Sequence, residues 1–153
     1  MEELTFYRFI EETCRLHKEE EGLYRRLSRH FGLSDSAFWI LYTLEALQRP
    51  VTQAELSGYL SLSKQTINSG LKQLEQAGHI QLTSGSGRRK HLRLTSQGRR
   101  LAAATARPVL AAEERTFHSM TEEERASLLA LERKYLSLLL QESNQFFQSS
   151  QEE

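Results

Sequence analysis

Residues 52–98, TQAELSGYLSLSKQTINSGLKQLEQAGHIQLTSGSGRRKHLRLTSQG, decide the fold. Thr52-Gln53-Ala54-Glu55 has the form of a capping box: the threonine hydroxyl and the glutamate carboxylate answer two backbone N–H groups at a helix start. A short helix is expected from there, with Ala54, Leu56 and Leu60 as its core contacts. A second helix is expected from near Ser63 to Gly78, a residue suited to the left-handed turn that closes helices. Ile67, Leu71 and Leu74 fall on one of its faces, and Lys64, Gln65, Asn68, Ser69 and Lys72 on the other. His79 to Thr83 and His91 to Thr95 then alternate apolar and polar residues, as strands do, and Ser84-Gly85-Ser86-Gly87 begins the turn between them. The order is helix, turn, helix, then a β-hairpin with Arg88, Arg89 and Lys90 in its loop.

The flanking segments read as a helical frame. A long helix from about Leu4 to His30 places Phe6, Phe9, Ile10, Thr13, Cys14, His17, Leu23, Tyr24 and Leu27 at three- to four-residue spacing, an apolar stripe beside glutamates. Ser34 caps the next helix, with Phe38, Leu41, Leu44 and Leu47 inward, and Pro50 is expected to stop it. After Thr95 two helices are expected. The first runs from about Ser96 to Ser119 with a kink at Pro108. The second runs from about Glu122 to Phe146 and opens on another capping box, Thr121 to Glu124. The expected class is mainly α with a small β-hairpin wing: a winged helix-turn-helix carrying a helical dimerisation region. Residues 1–32 form the N-terminal dimerisation helix, 33–98 the winged helix-turn-helix and 99–153 the C-terminal dimerisation helices, in one interlocked domain.

The 153 residues carry no net charge, yet the charge is unevenly spread. Between Lys64 and Arg100 eight basic residues face Glu75 alone, while seven glutamates sit in the first 21 residues. A local surplus of this kind is what attracts phosphates, so the zero total does not exclude a nucleic-acid partner. Leu128, Leu129, Leu131, Tyr135, Leu136, Leu138, Leu139, Leu140, Phe146 and Phe147 cover more than one face of the last helix. A chain of 17.7 kDa has little core to bury them, and pairing with a second copy would do so. No apolar run approaches a membrane span, the acidic start lacks a signal-like core, and one cysteine forms no internal disulfide; a cytoplasmic protein without membrane contact is expected.

These residues resemble the MarR family of winged-helix transcription regulators over roughly Leu33 to Leu140. The resemblance is carried by LSDSAFWILYTL, by S-K-Q-T-x-x-x-x-L-x-x-L-E-x-x-G within the stretch quoted above, and by GRRKHLRLTSQGRRL with its L-T-x-x-G. It implies an obligate dimer with interlocked terminal regions, one winged helix per subunit, and repression or activation released by a small ligand or by oxidation. Two positions depart from the family pattern. Ser86 stands where an aspartate usually braces the wing arginine, here Arg88, and Ala37 stands where a glutamine is frequent.

On this reading Ser63, Lys64, Gln65, Thr66, Asn68, Ser69 and Lys72 form the DNA-reading helix. Glutamine and asparagine can bond adenine edges bidentately, hydroxyls bond phosphate or base, and lysines neutralise phosphate. Their place between a helix-turn and a basic wing is what separates them from an ordinary solvated helix face. Arg88, Arg89 and Lys90 suit phosphate or a narrow minor groove. The resemblance further implies a crevice for an aromatic effector, and Tyr7, His17, Tyr24, Trp39 and Tyr42 are its candidate lining, with packing between helices as the plain alternative. Cys14, with His17 one turn on, is the candidate for a redox role, although its surroundings do not match the peroxide-sensing branch.

No cofactor is expected. The five histidines show no H-x-x-x-H spacing, and Cys14 with His17 offers only two metal ligands. There is no G-x-S-x-G and no Gly-rich phosphate loop, so no enzyme is expected. The expected function is a homodimeric regulator, a repressor by preference, of a pseudo-palindromic operator in double-stranded DNA, modulated by a small aromatic or anionic ligand. The alternatives are a winged-helix protein-interaction module without specific DNA binding, and a thiol redox-sensing regulator using Cys14.

Overall fold

The computed structural model describes residues 4–84 and 90–148. In chain order its elements are α1 (Phe6–His30), α2 (Asp35–Leu47), β1 (Val51–Thr52), α3 (Gln53–Tyr59), α4 (Lys64–Gln76), β2 (Ile80–Ser84), β3 (Lys90–Leu94), α5 (Ser96–Ala104), α6 (Ala106–Ser119) and α7 (Glu122–Gln148). The class is the expected one, mainly helical with a small antiparallel sheet. The chain divides into two units, Met1–Leu110 and Ala111–Glu153.

Helix starts in the first unit follow one rule. Thr5, Ser34, Thr52, Ser63 and Thr95 each accept, through the side-chain hydroxyl, the backbone N–H three residues on. Thr52 also completes the expected capping box with Glu55. Helix ends hold one agreement and one correction. α2 ends before Pro50, as expected: it closes at Gln48, which adopts the left-handed conformation with φ 50° and donates its N–H to the Leu44 carbonyl. The proline ring disfavours helical geometry at Arg49, so the chain turns earlier. The single helix expected from Ser96 to Ser119 is two, separated at Thr105 (φ −126°, ψ −74°). Pro108 sits in the first turn of α6, where proline is tolerated. Its missing N–H and its ring act on the carbonyl four residues back, that of Ala104, and the break falls there.

The sheet has the order β1-β3-β2, all antiparallel. β2 and β3 form the expected hairpin, in register from Ile80↔Leu94 to Ser84↔Lys90. β1 was not expected: its two residues pair Val51 with Leu92 and Thr52 with His91, and Val51 is fully buried. The core beneath draws Ile40, Leu41 and Leu44 from α2, Leu56 from α3, Ile67, Leu71 and Leu74 from α4, and Leu92 from β3. Ala54, expected among the core contacts, is exposed while Leu56 and Leu60 are buried. Two residues along a helix is a rotation of about 200°, which sets Ala54 opposite Leu56. At Gly70 a Cβ would come within 2.8 Å of Ile40 Cδ1 and 2.9 Å of Ser36 Oγ, so the missing side chain lets α4 lie against α2.

α1 contributes little to this core. Ser28 is its one buried residue among those described, and its hydroxyl donates to the Asp35 carboxylate at the start of α2. Phe6, Tyr7, Ile10, Leu16 and Leu23 are exposed. In the second unit, Thr121 and Glu124 exchange the expected capping-box bonds at 2.8 and 3.2 Å. Arg125 places its guanidinium 4.2 Å from the centre of the Phe117 ring. The leucines and aromatics that the sequence singled out on α7 are 47–69% exposed.

Candidate nucleic-acid interface

α4 is held by its apolar face and by both ends. Ile67 is fully buried and Leu74 nearly so, so rotation of the helix about its axis would move apolar surface into water. At its N-terminus Ser63 accepts the Thr66 N–H at 3.1 Å, and the two hydroxyls lie 2.7 Å apart. Gln73 accepts a hydrogen bond from Ser34, the cap of α2, at 3.0 Å. Gly78, with φ 74°, follows the helix end, as the sequence led one to expect.

The opposite face of α4 presents Lys64, Gln65, Thr66, Asn68, Ser69 and Lys72, all exposed. Residues 64, 65, 68, 69 and 72 recur at the spacing of one helical face. No acidic residue occupies the first turn; Lys64 stands there instead. A lysine adds positive charge to the positive end of the helix dipole, which opposes folding slightly and favours an anion nearby. Asn68 is less free than the sequence implied. Its Oδ1 accepts a hydrogen bond from the Gln53 side chain of α3, leaving the amide N–H group to donate outward. Bidentate reading of adenine by Asn68 would use the second lone pair of that oxygen, in an orientation set by Gln53, whereas Gln65 has no side-chain partner among the described residues. Gln53 was not singled out in the sequence, because the contact depends on how two helices are set against each other.

α3, which carries Gln53, is itself anchored. The Glu55 carboxylate accepts the Thr52 N–H at 2.7 Å and its hydroxyl at 2.9 Å, and Arg49 lies 3.0 Å away. These donors, the Thr52 backbone first, hold the Glu55 carboxyl down at about 2; the same pairing raises Arg49 above the usual guanidinium value.

On the hairpin, Lys90 is exposed and stands opposite Ser84 at the last described pair before the turn. Arg88 and Arg89, with the departure at Ser86, lie outside the described residues. The base of the hairpin is locked to α5: Thr95 donates its N–H to the His79 carbonyl at 3.0 Å, donates its hydroxyl to that of Gly78 at 2.6 Å, and caps α5 through Gly98.

The candidate effector residues do not form one site. Tyr24 and Trp39 pack with their rings tilted, 4.7 Å between centres, and line a cavity of about 450 Å3 with Glu20, Glu21, Arg25, Asp35 and the α3–α4 turn. Tyr42 packs against Trp39 at 5.2 Å but is not in that lining. Tyr7 and His17 are exposed on α1, away from it. Three carboxylates against one guanidinium make this a poor place for an anion. Cys14 is exposed rather than buried. Among the described residues no group of three or more His, Cys, Asp or Glu could hold a metal, and no helix is long and apolar enough to cross a membrane.

This arrangement has relatives. Residues 31–90 match the family model described as MarR family. This segment is similar to the winged helix of that family. An uncharacterized HTH-type transcriptional regulator, YwoH of Bacillus subtilis, is 36% identical over 62 residues, which are 40% of this chain and 44% of that protein. The chain thus matches less than half the length of that relative. Among solved structures, NMB1585, a MarR family regulator from Neisseria meningitidis, superposes with a TM-score of 0.70 at 22% identity, over 89% of this chain and 95% of that one. MepR of Staphylococcus aureus, solved as a DNA complex, superposes with a TM-score of 0.65 at 23% identity, over 91% and 99% of the two chains. At these identities the likeness is one of fold, and it extends beyond the segment matched by the family model to most of the chain.

Proposed function

We propose that this protein is a homodimeric transcriptional regulator, a repressor by preference, that binds a pseudo-palindromic operator in double-stranded DNA. α4 is the reader, laid in the major groove with Gln65 and Asn68 toward base edges, and Lys64, Lys72 and the hydroxyls toward phosphate. Arg88, Arg89 and Lys90 of the hairpin turn reach the backbone or the neighbouring minor groove. The observation that carries this reading is the exposed face of α4: amides and hydroxyls led by Lys64 at the positive end of the helix, on a helix fixed by a buried apolar face. The DNA complex of MepR, a protein of the same fold, supports it.

Dimerisation is the second half of the proposal. An isolated protein leaves few large apolar patches in water, and α7 has ten large apolar side chains about half exposed or more. Residues 1–32 and 99–153 serve as the pairing helices and 33–98 as the winged helix, and a second copy supplies the missing cover. The protein is read as cytoplasmic, and as non-enzymatic because its exposed face is built for contact rather than for bond chemistry. A small molecule that binds one conformation of the dimer better would modulate DNA affinity by the same factor that DNA modulates its own.

Selection of bound duplexes from a random pool tests the proposal. A two-fold symmetric motif is expected, with half-sites about one helical turn apart. A pool with no enriched motif, from protein that is folded and retained on DNA, would contradict sequence-specific regulation.

A further inference from the structure

A second cavity differs from the aromatic one in its charge. It is a cleft of about 360 Å3 bounded by the end of α2, by β3, by the start of α5 and by α6. Four arginines line it, Arg49, Arg93, Arg99 and Arg107, over an apolar floor that includes Leu94. Two of the four are already answered by carboxylates. Arg107 donates to Glu45, a buried side chain, at 2.7 Å, and Arg49 donates to Glu55 at 3.0 Å. The other two are not. Arg99 donates to the Leu94 carbonyl and the Ser96 hydroxyl, neutral groups that fix its plane without cancelling its charge. Arg93 has no side-chain partner among the described residues. Two guanidiniums without a carboxylate partner thus line one concave surface and leave donors unanswered. A planar fork of donors fits a carboxylate or phosphate, and a cleft near the small end of ligand sites fits a ligand of about one ring.

We propose that this cleft binds a small organic dianion, two carboxylates or a phosphate on a compact apolar body, with Arg93 and Arg99 as the charge partners. Arg107 and Arg49, each tied to its own carboxylate, shape the walls. The binding site stands on its own; the regulatory consequence rests on the proposed DNA-binding function. The cleft joins β3, a strand of the hairpin, to α5 and α6, so a bound dianion would fix the hairpin's setting on the helices that follow it. It also divides the effector question: an anionic effector belongs here, and not in the cavity of Tyr24 and Trp39, whose lining is acidic.

Calorimetry on the full chain without DNA tests the site, with phthalate and inorganic phosphate as probes. Saturable binding of at least one probe is expected, at one per chain. Arg93→Ala and Arg99→Ala should each weaken it tenfold or more, while Lys134→Ala on α7, a change of equal charge elsewhere, should leave it unchanged. In the unsubstituted protein the Nε–H resonances of Arg93 and Arg99 should shift on titration, a readout independent of any variant's folding. No saturable binding of either probe at millimolar concentration overturns the proposal. So does equal loss in Lys134→Ala, which would mean general charge attraction. If Arg93→Ala keeps probe binding but lowers affinity for a duplex, the cleft is a DNA backbone contact and the proposal is likewise overturned. Because the probes are titrated without DNA, failure of the operator reading leaves this result intact.

Discussion

Gly98, in the first turn of α5, lies against the carbonyl of His79, the residue that leads into β2: a Cβ at position 98 would fall 1.8 Å from that oxygen. The same carbonyl accepts the Thr95 N–H at 3.0 Å. The L-T-x-x-G pattern is therefore a clasp. Threonine caps the helix and holds the strand entrance, and glycine three residues on leaves room for the backbone that threonine pulls in.

Gly98→Ala should for that reason be among the most damaging single-methyl changes in the chain. The atom in the way is backbone, which cannot rotate aside, so the cost should reach or exceed the usual overpacking range, about 3 kcal/mol. Urea unfolding followed by circular dichroism measures it. A variant as stable as the parent would mean that α5 can shift off the hairpin without loss.

Glu55 ties α3 to acid sensitivity. Its folded-state carboxyl is held at about 2, below the ordinary 4.5, so the charged form favours the folded protein. That contribution is complete above the ordinary value and is lost as pH falls toward about 2. Glu55→Gln keeps an oxygen for the Thr52 N–H but cannot titrate. The stability gap between parent and variant should be largest near neutral pH and close as pH falls through that window. A gap that stays constant would contradict the assignment.

The second copy proposed for α7 is tested by mass. Light scattering at micromolar concentration should return about twice the 17.7 kDa of the chain, as large interfaces imply. Leu136→Glu with Leu139→Glu, two exposed positions one turn apart, should return the single-chain mass with helicity retained. A parent that is monomeric and folded, or a variant that stays dimeric, would place the pairing surface elsewhere or remove it.

For the hairpin turn the prediction concerns salt. Arg88→Ala with Arg89→Ala should weaken binding to many sequences alike. It should also flatten the dependence of log affinity on log salt by roughly two units per hairpin if both arginines meet phosphate. An unchanged slope would mean that neither does.

Much of the fold could be read from local chemistry. The caps at Ser34, Thr52 and Ser63, the apolar face of Ile67, Leu71 and Leu74, and the alternation in β2 and β3 each depend on residues close together in sequence. What escaped reading depended on partners far along the chain or on very short elements. β1 has two residues, too few for a period, and exists because β3 offers it an edge. The break at Thr105 lies upstream of Pro108 because proline acts on the carbonyl four residues back. The engagement of Asn68 by Gln53, and the gathering of Arg93 and Arg99 with Arg49 and Arg107, follow from tertiary setting alone. The candidate effector residues failed to converge for a similar reason: helical spacing places Tyr7, His17 and Tyr24 along α1, but the contacts of α1 with α2 described above come from its C-terminal part, through Tyr24 and Ser28.

The most direct test of α4 as the reader is a titration of parent, Gln65→Ala and Asn68→Ala against the selected operator and a scrambled duplex of equal length at one salt concentration. Gln65→Ala should lose about 1–3 kcal/mol on the operator and little on the scrambled duplex, the signature of base contact. Asn68→Ala should lose a comparable amount on the operator, and it also removes the acceptor that holds Gln53 of α3. Equal losses on both duplexes would mean that α4 touches only the backbone, and would contradict the account at its centre.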